Sequence, residues 1–581
     1  ENVGSKLFFD NANGICEATY SSITLIYGVK PWFRSALSTL HTKQPFAILI
    51  QDIIAGITVG LTAIPQGIAY AVVAGLSPEY GLYSGLLGGI VYTIFGSCKD
   101  VTVGPTAIMA AMVAKYVTNY SPDFAVLLAF LAGLFEFAMG FLQLGFLVEF
   151  ISVPVISGFT TAAALQIATG QLKSLFGLTG ESGNYFAESA YNFVLNIKTA
   201  RLWDPILGFS TILALLLLKK LGDGCKRTDG NMRTLRWLIS LSRNAIVVII
   251  GMIIAYILTL TTESEPLKLT GAIGEGLPTF SPPPFSSTFG NETYNFSEMI
   301  QILGPQLVII PFVAILESVA IAKAFAEGKP VDATQEMIAL GLCNVVASFG
   351  RAMPITGSFT RTAVNNASGV QTTAGGIVTG LLILCALVFL TNTFYFIPKA
   401  SLAGLIITAM FTMVDFSIFL RLWRSSKKEL LVITITVLGC LSMGLEYGIV
   451  IGIIVDALML MYTSARPKVE LKTLKNENGE LIIVPLSDCI SYCAAEHVRR
   501  KILKASNHCN TIVVIDGTNL LSFDTTVASI LTSTLKDLDK RGQKVILLNF
   551  GKTEKKMILE LNFSCNNKFV DANNLSELFP N

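Results

Sequence analysis

The sequence predicts a polytopic α-helical membrane protein of fourteen helices in two inverted repeats of seven, followed by a small C-terminal α/β domain. Three observations predict it. Hydrophobic residues fill 52% of 581 positions and charged residues only 14%, where soluble domains run near a quarter charged. Apolar stretches succeed one another from about residue 46 to 463 and end before Arg466-Pro467. Two of them, broken by Gly and Pro, stand third in the first seven and third in the second seven, and such a pair points to an inverted repeat.

In order, the apolar stretches are 53–73, 80–95, 105–116, 124–144, 155–172, 206–218 and 246–260, then 304–326, 339–349, 359–370, 375–390, 402–413, 430–445 and 449–462. A bilayer core takes ~20 helical residues, so several are short. No cleavable signal peptide is visible, and residues 1–45 are expected to stay cytoplasmic. The break at 219–243 carries Lys219, Lys220, Lys226, Arg227, Arg233, Arg236 and Arg243, and that near 421–428 carries Arg421, Arg424, Lys427 and Lys428. Both are expected to be cytoplasmic. The break at 262–300 is acidic, with Glu263, Glu265, Glu275, Glu292 and Glu298. It holds the glycosylation acceptors Asn291 and Asn295, and Asn119 is a third candidate. Fourteen spans with both ends inside satisfy these constraints. Residues 46–465 then form the membrane domain and 466–581 a soluble one. In the latter, Thr511–Asp516 reads as a buried strand, Phe523–Val527 opens a helix reaching about Arg541, and Lys544–Asn549 is the next strand. Strand–helix–strand with short loops is an α/β pattern. Its sequons at Asn562 and Asn574 would face the cytosol.

Other classes fall away. The net charge of +2 offers no basic field for nucleic acid. Ten cysteines lack a framework spacing. The three histidines lie outside the apolar stretches, so no intramembrane His-ligated metal site is expected. Cys489, Cys493 and His497, with His508-Cys509 nearby, match no standard zinc spacing. No nucleophile–base pair lies at membrane depth, so neither an enzyme nor a cofactor is expected.

Gly104-Pro105-Thr106-Ala107 opens one broken segment and Pro354–Arg361 the other. A half-helix starting at mid-membrane presents free N–H groups and the positive end of its dipole. Two such ends facing each other make an anion site; a plain helix kink is the simpler reading of either alone. Arg361, at the start of the second half-helix, adds charge that an anion or a carboxylate must answer, unless it snorkels to the interface. Glu317 is the intramembrane acid of 304–326. Burial favours its neutral form and Arg361 its charged form, so it can exchange a proton, or it forms a static pair with Arg361. Glu136 is a second buried acid, read as structural. Gln66 and Tyr70 stand at i and i+4 on one helix face, as neutral donors for an anion or as interhelical hydrogen-bonding groups.

Pro78-Glu-Tyr-Gly-Leu-Tyr83, Val103–Ala107, Leu316–Phe325 and Gly357–Asn365 resemble motifs of the SulP / solute-carrier multifunctional anion transporters. Within that family the chain resembles the sodium-independent sulfate anion transporter branch. The resemblance implies core and gate domains, an elevator-type motion and a homodimer through the membrane and STAS domains. It implies an anion near Gln66, Tyr70, Thr106, Ala107, Phe359, Thr360 and Arg361, with Glu317 linked to protons. Thr360 stands where many relatives have Ser, and Thr106 where some have an aromatic. The tail resembles the STAS domain. Asp524-Thr525-Thr526 lies where some relatives have a phosphorylatable Ser, although a helix cap is its simpler role. The expected function is sulfate transport by proton coupling in the plasma membrane, with a lysosomal or other endomembrane as the alternative setting. Exchange for chloride, bicarbonate or oxalate, or an anion channel, is the alternative.

Overall fold

The computed structural model describes residues 45–571 apart from 181–182, 184, 223–230, 263–265, 272–276, 290–291, 327–329, 392, 468–470, 477–478, 487–488 and 507–510. Residues 1–44, Lys226, Arg227, Glu263, Glu265, Glu275, Asn291, His508, Cys509 and Asn574 lie outside the described residues.

Each predicted apolar stretch falls on one helix. The first seven are α1 (Pro45–Val73), α2 (Pro78–Phe95), α3 (Ala107–Asn119), α4 (Pro122–Phe141), α5 (Val153–Gly170), α6 (Trp203–Gly222) and α7 (Arg243–Thr262). The second seven are α8 (Gln306–Phe325), α9 (Ala333–Phe349), α10 (Phe359–Ala367), α11 (Gly375–Phe389), α12 (Lys399–Met413), α13 (Lys427–Met443) and α14 (Leu445–Ala465). Among the described residues, eight spans are long and apolar enough to cross a membrane.

Local chemistry sets several boundaries. Pro122 occupies the first turn of α4 and the Ser121 hydroxyl accepts from the Asp123 N–H at 3.1 Å, a cap of the ordinary kind. The stretch expected to run to residue 144 ends at Phe141, because Gln143 is left-handed (φ 56°) and Leu144–Phe150 wind as a tighter helix. The basic break near 421–428 is not a loop either. A short helix, Phe416–Ser425, fills it, and Asn231–Leu241 fills part of the break at 219–243.

The helices sort into two groups. α1–α4 pack chiefly with α8–α11 to form a core, and α5–α7 pack with α12 and α13 to form a gate. α14 lies on α13 through Gly448 and Gly452. The pairing repeats after seven helices: α4 on α9 answers α11 on α2, α1 on α11 answers α8 on α4, and α5 on α13 answers α12 on α6. Seven is odd, so equivalent helices run in opposite directions and the repeat is inverted.

Backbones touch where glycine permits. A Cβ on Gly81 of α2 would land on the Gly67 carbonyl of α1, whereas one on Gly67 would sit 3.1 Å from the Gly81 carbonyl. Gly81→Ala is therefore expected to lower the melting temperature of detergent-purified protein, at about 1–3 kcal/mol for overpacking, and Gly67→Ala to do so less. A thermal-shift series reads both. Equal melting temperatures for Gly81→Ala and wild type would show that the α1–α2 contact yields freely.

The second compact unit covers Ile454–Asn581. Its sheet runs in the order Phe569–Val570, Val545–Leu548, Thr511–Asp516, Gly479–Pro485 and Lys472–Asn476, parallel except for Lys472–Asn476 against Gly479–Pro485. Alternate residues Ile482, Val484, Val513, Ile515, Val545 and Leu547 join one hydrophobic core. The helices α15 (Tyr492–Ala505), α16 (Thr525–Lys540) and α17 (Lys552–Leu561) supply its other wall. Asp524 accepts from the Val527 N–H at 2.8 Å, the expected cap of α16.

Candidate functional site

The two broken segments meet. β1 (Val103–Gly104) pairs antiparallel with β2 (Thr356–Gly357), Val103 opposite Gly357 and Gly104 opposite Thr356. The Ser358 N–H donates to the Thr102 carbonyl at 2.9 Å, and the Thr102 N–H to the Thr362 hydroxyl at 3.1 Å. Each strand leads at once into a half-helix, α3 of 13 residues and α10 of 9. At 1.5 Å per residue they reach only about 20 and 14 Å, so each begins well inside a bilayer core of about 30 Å. Their amino ends are thus brought side by side with their positive dipole ends inward.

The α1 face expected from Gln66 and Tyr70 lies against these ends. The Gln66 Nε2 donates to the Thr360 hydroxyl at 3.4 Å, and the Ser358 and Thr360 hydroxyls are 3.4 Å apart. Gln66 is 1% exposed and its Oε1 is buried without a partner. Tyr70 and Ala107 are buried. Thr106 caps α3, its hydroxyl accepting from the Met109 N–H at 3.4 Å.

Phe359 is 44% exposed, and its ring meets Phe325 edge-on at 5.3 Å. It lines a cavity of about 290 Å³ with Ile108, Phe159, Leu316, Glu317 and Met413, between core helices and gate helices. A second cavity, of about 360 Å³, lies at the opposite end of the bundle between the carboxyl ends of α3 and α5 and the start of α14.

Glu317 of α8 lies beside the Thr106 hydroxyl, and its Oε2 is buried without a partner. Arg361 is the largest fully buried side chain, and its Nε and Nη2 are buried without partners. Its guanidinium lies against Gly104, where Nη2 would be 3.0 Å from an added Cβ. Tyr70 and Glu317 are the ionisable groups acting on it electrostatically. The ion pairs among the described residues do not join Arg361 to an acid within 4.0 Å, so the static Glu317–Arg361 pair is not formed. Arg361 does not line the Glu317 cavity; it lines a smaller space with Val103, Pro105 and Asn365.

Two supporting residues were not singled out from the sequence. Ser358 holds the N-cap position of α10, without a side-chain capping hydrogen bond, a place its position before Phe359 could have revealed. Asn344 of α9 had no local signal. Its Nδ2 donates to Glu136 Oε2 at 2.9 Å and to the Ile355 carbonyl at 2.9 Å, while its Oδ1 accepts from the Ile355 N–H at 2.8 Å. The Thr356 hydroxyl donates to the Ala314 carbonyl at 2.7 Å. Glu136 is thereby tied through Asn344 to the backbone at Ile355. Asn344→Ala leaves Glu136 and Ile355 unpaired, at about 1–3 kcal/mol per buried polar group. The expected result is a lower melting temperature together with weaker sulfate uptake. Full thermal stability would show that the brace is dispensable.

Of the sequons, Asn119 ends α3 and is exposed. Asn295 is exposed and caps the helix Phe296–Leu303, with its backbone N–H donating to Glu298 at 2.9 Å.

The model of the sulfate permease family matches residues 49–436, and that of the STAS domain matches residues 472–573. The chain is 43% identical over 511 residues to the sodium-independent sulfate anion transporter of Bos taurus, covering 86% of this chain and 83% of that one. It is 36% identical over 447 residues to the probable sulfate transporter 4.2 of Arabidopsis thaliana, covering 75% and 62%. Its fold matches the murine Slc26a9 anion transporter in the inward-facing state with a TM-score of 0.80 at 20% identity, over 92% of each chain. It matches the transmembrane domain of the cyanobacterium bicarbonate transporter BicA with a TM-score of 0.56 at 18% identity, over 71% of this chain and 98% of that one. With its paired half-helices inside an inverted seven-plus-seven bundle and an α/β tail, the chain belongs to the sulfate permease family of membrane anion transporters and carries a STAS domain.

Proposed function

We propose that this chain is a sodium-independent sulfate transporter, coupled to protons and working by elevator-type movement of the core against the gate. The observation that carries the reading is the meeting of the α3 and α10 amino ends around a buried, partnerless guanidinium. Such a site has hydrogen-bond donors and positive potential but no compensating acid in contact, which suits a dianion. Gln66, Tyr70 and Thr360 would donate to sulfate, Thr106 and Ala107 would frame the α3 end, Phe359 would close the cavity side, and Arg361 would supply charge from behind. Glu317 faces the cavity that separates core from gate, where a proton can reach it, and this favours proton coupling over exchange for chloride, bicarbonate or oxalate and over a channel. The name of the Bos taurus relative supports sulfate as the anion. The apolar, weakly buried faces of α6, α7 and α14 suit lipid or a second copy, consistent with a homodimer. The plasma membrane with both termini cytoplasmic is the proposed setting.

The test is radiolabelled sulfate uptake into sodium-free proteoliposomes with and without an inward proton gradient. Accumulation driven by the gradient is expected. Sulfate flux that appears only against internal chloride, bicarbonate or oxalate would replace symport by exchange.

A further inference from the structure

The helix Phe416–Ser425 joins α12 to α13. One face of it, Ile418 and Leu422, is buried with Ile433 of α13. A second apolar stripe, at i, i+4 and i+7, is not: Phe416, Leu420 and Trp423 are 65, 66 and 69% exposed. Next to that stripe around the helix stand Arg421 and Arg424, and Lys427 follows at the start of α13; all three are exposed. The ion pairs among the described residues include none of the three. Nearby acids are few: Asp415 caps the helix, accepting from the Ser417 N–H at 3.0 Å, within the electrostatic reach of Arg421, which itself donates to the Ser417 hydroxyl at 3.5 Å, and Glu429 lies in the first turn of α13.

The inverted repeat supplies an internal control. Seven helices earlier, the α5–α6 connection also contains a short helix, Phe186–Asn196, with Tyr191, Val194 and Leu195 exposed. That helix contains Glu188 and no Lys or Arg. Inversion places the two helices at opposite ends of the bundle, hence in opposite leaflets. Both have the apolar stripe of an interfacial helix, but only Phe416–Ser425 carries cations within the helix itself; Lys198 and Arg201 follow the carboxyl end of the other. A rule of lipid contact alone would treat them alike.

We infer that the Phe416–Ser425 helix is a docking surface for anionic phospholipid headgroups, held by Arg421, Arg424 and Lys427 while Phe416, Leu420 and Trp423 enter the acyl boundary. The charge match commits the occupant: three cations beside a membrane-directed apolar stripe suit a phosphate headgroup anchored by its own acyl chains. The docking reaches the transport path. Thr412, Met413 and Asp415, at the root of this helix, line the same cavity as Glu317 and Phe359. Headgroup binding thereby steadies the gate-side rim of that cavity.

The experiment is native mass spectrometry of the full-length purified protein mixed with equal phosphatidylserine and phosphatidylcholine. It reads lipid binding and does not depend on which anion is carried. Wild type is expected to retain phosphatidylserine preferentially. The triple variant Arg421→Gln, Arg424→Gln, Lys427→Gln is expected to lose about a hundredfold in phosphatidylserine retention, since each basic side chain near an anionic surface contributes about fivefold. Arg421→Lys with Arg424→Lys, which keeps charge and checks folding, is expected to retain it. Equal retention of the two lipids by wild type, or undiminished phosphatidylserine on a folded triple variant, overturns the inference and leaves these cations as topology determinants.

Discussion

Arg361→Ala is expected to abolish sulfate uptake while the protein still folds and reaches the membrane. The guanidinium is buried, two of its nitrogens have no partner, and no acid within 4.0 Å depends on it among the described residues. Removing it strands no carboxylate, so its loss falls on the anion and not on the fold. A charge-assisted interaction with a buried anion contributes about 1.5–3 kcal/mol, or about tenfold to a hundredfold in affinity. Because the guanidinium lies against Gly104 of β1 and off the cavity wall, Arg361→Lys is expected to retain part of the affinity: a charge at that depth matters more than a fork of hydrogen bonds. Sulfate binding by calorimetry, beside uptake into proteoliposomes, checks both variants. Wild-type affinity in Arg361→Ala would remove Arg361 from the site and leave the helix ends and Gln66 to hold the anion.

Glu317→Gln is expected to bind sulfate but to lose the response to a proton gradient. The sign follows from charge. With Arg361 positive and Glu317 ionised the empty core is near neutral, and sulfate takes it to a net charge of −2. Protonating Glu317 lowers the loaded magnitude to one. A smaller charge crosses a low-dielectric path at less cost, so loading and protonation favour each other, and uptake rises as external pH falls. Gln fixes the protonated form, so uptake at equal pH persists and the slope against the gradient flattens. Sulfate flux at equal and unequal pH, wild type beside variant, is the measurement. Full gradient-driven accumulation by Glu317→Gln would leave the acid as a structural neighbour of Thr106 and favour exchange.

The sequence by itself determined the order of the fourteen helices, the two half-helices, the strand–helix–strand tail and the cap at Asp524. These are local properties: hydropathy over a helix length, Gly and Pro at a break, a short polar side chain before a helix. It also paired Gln66 with Tyr70, because helical spacing alone puts them on one face. Tertiary structure decided the rest. Asn344 braces Ile355 and holds Glu136 from 208 residues away, and no local pattern distinguishes that asparagine from one facing another helix. The alternative reading of Glu317, a static pair with Arg361, could not be decided locally either, since whether the two side chains meet depends on how α8 and α10 pack. The cationic break at 421–428 turned out largely helical because its Ile418–Leu422 face finds Ile433 of α13. In a membrane protein, faces toward lipid and faces toward the bundle are both apolar, so hydropathy locates the helices but leaves their rotation to packing.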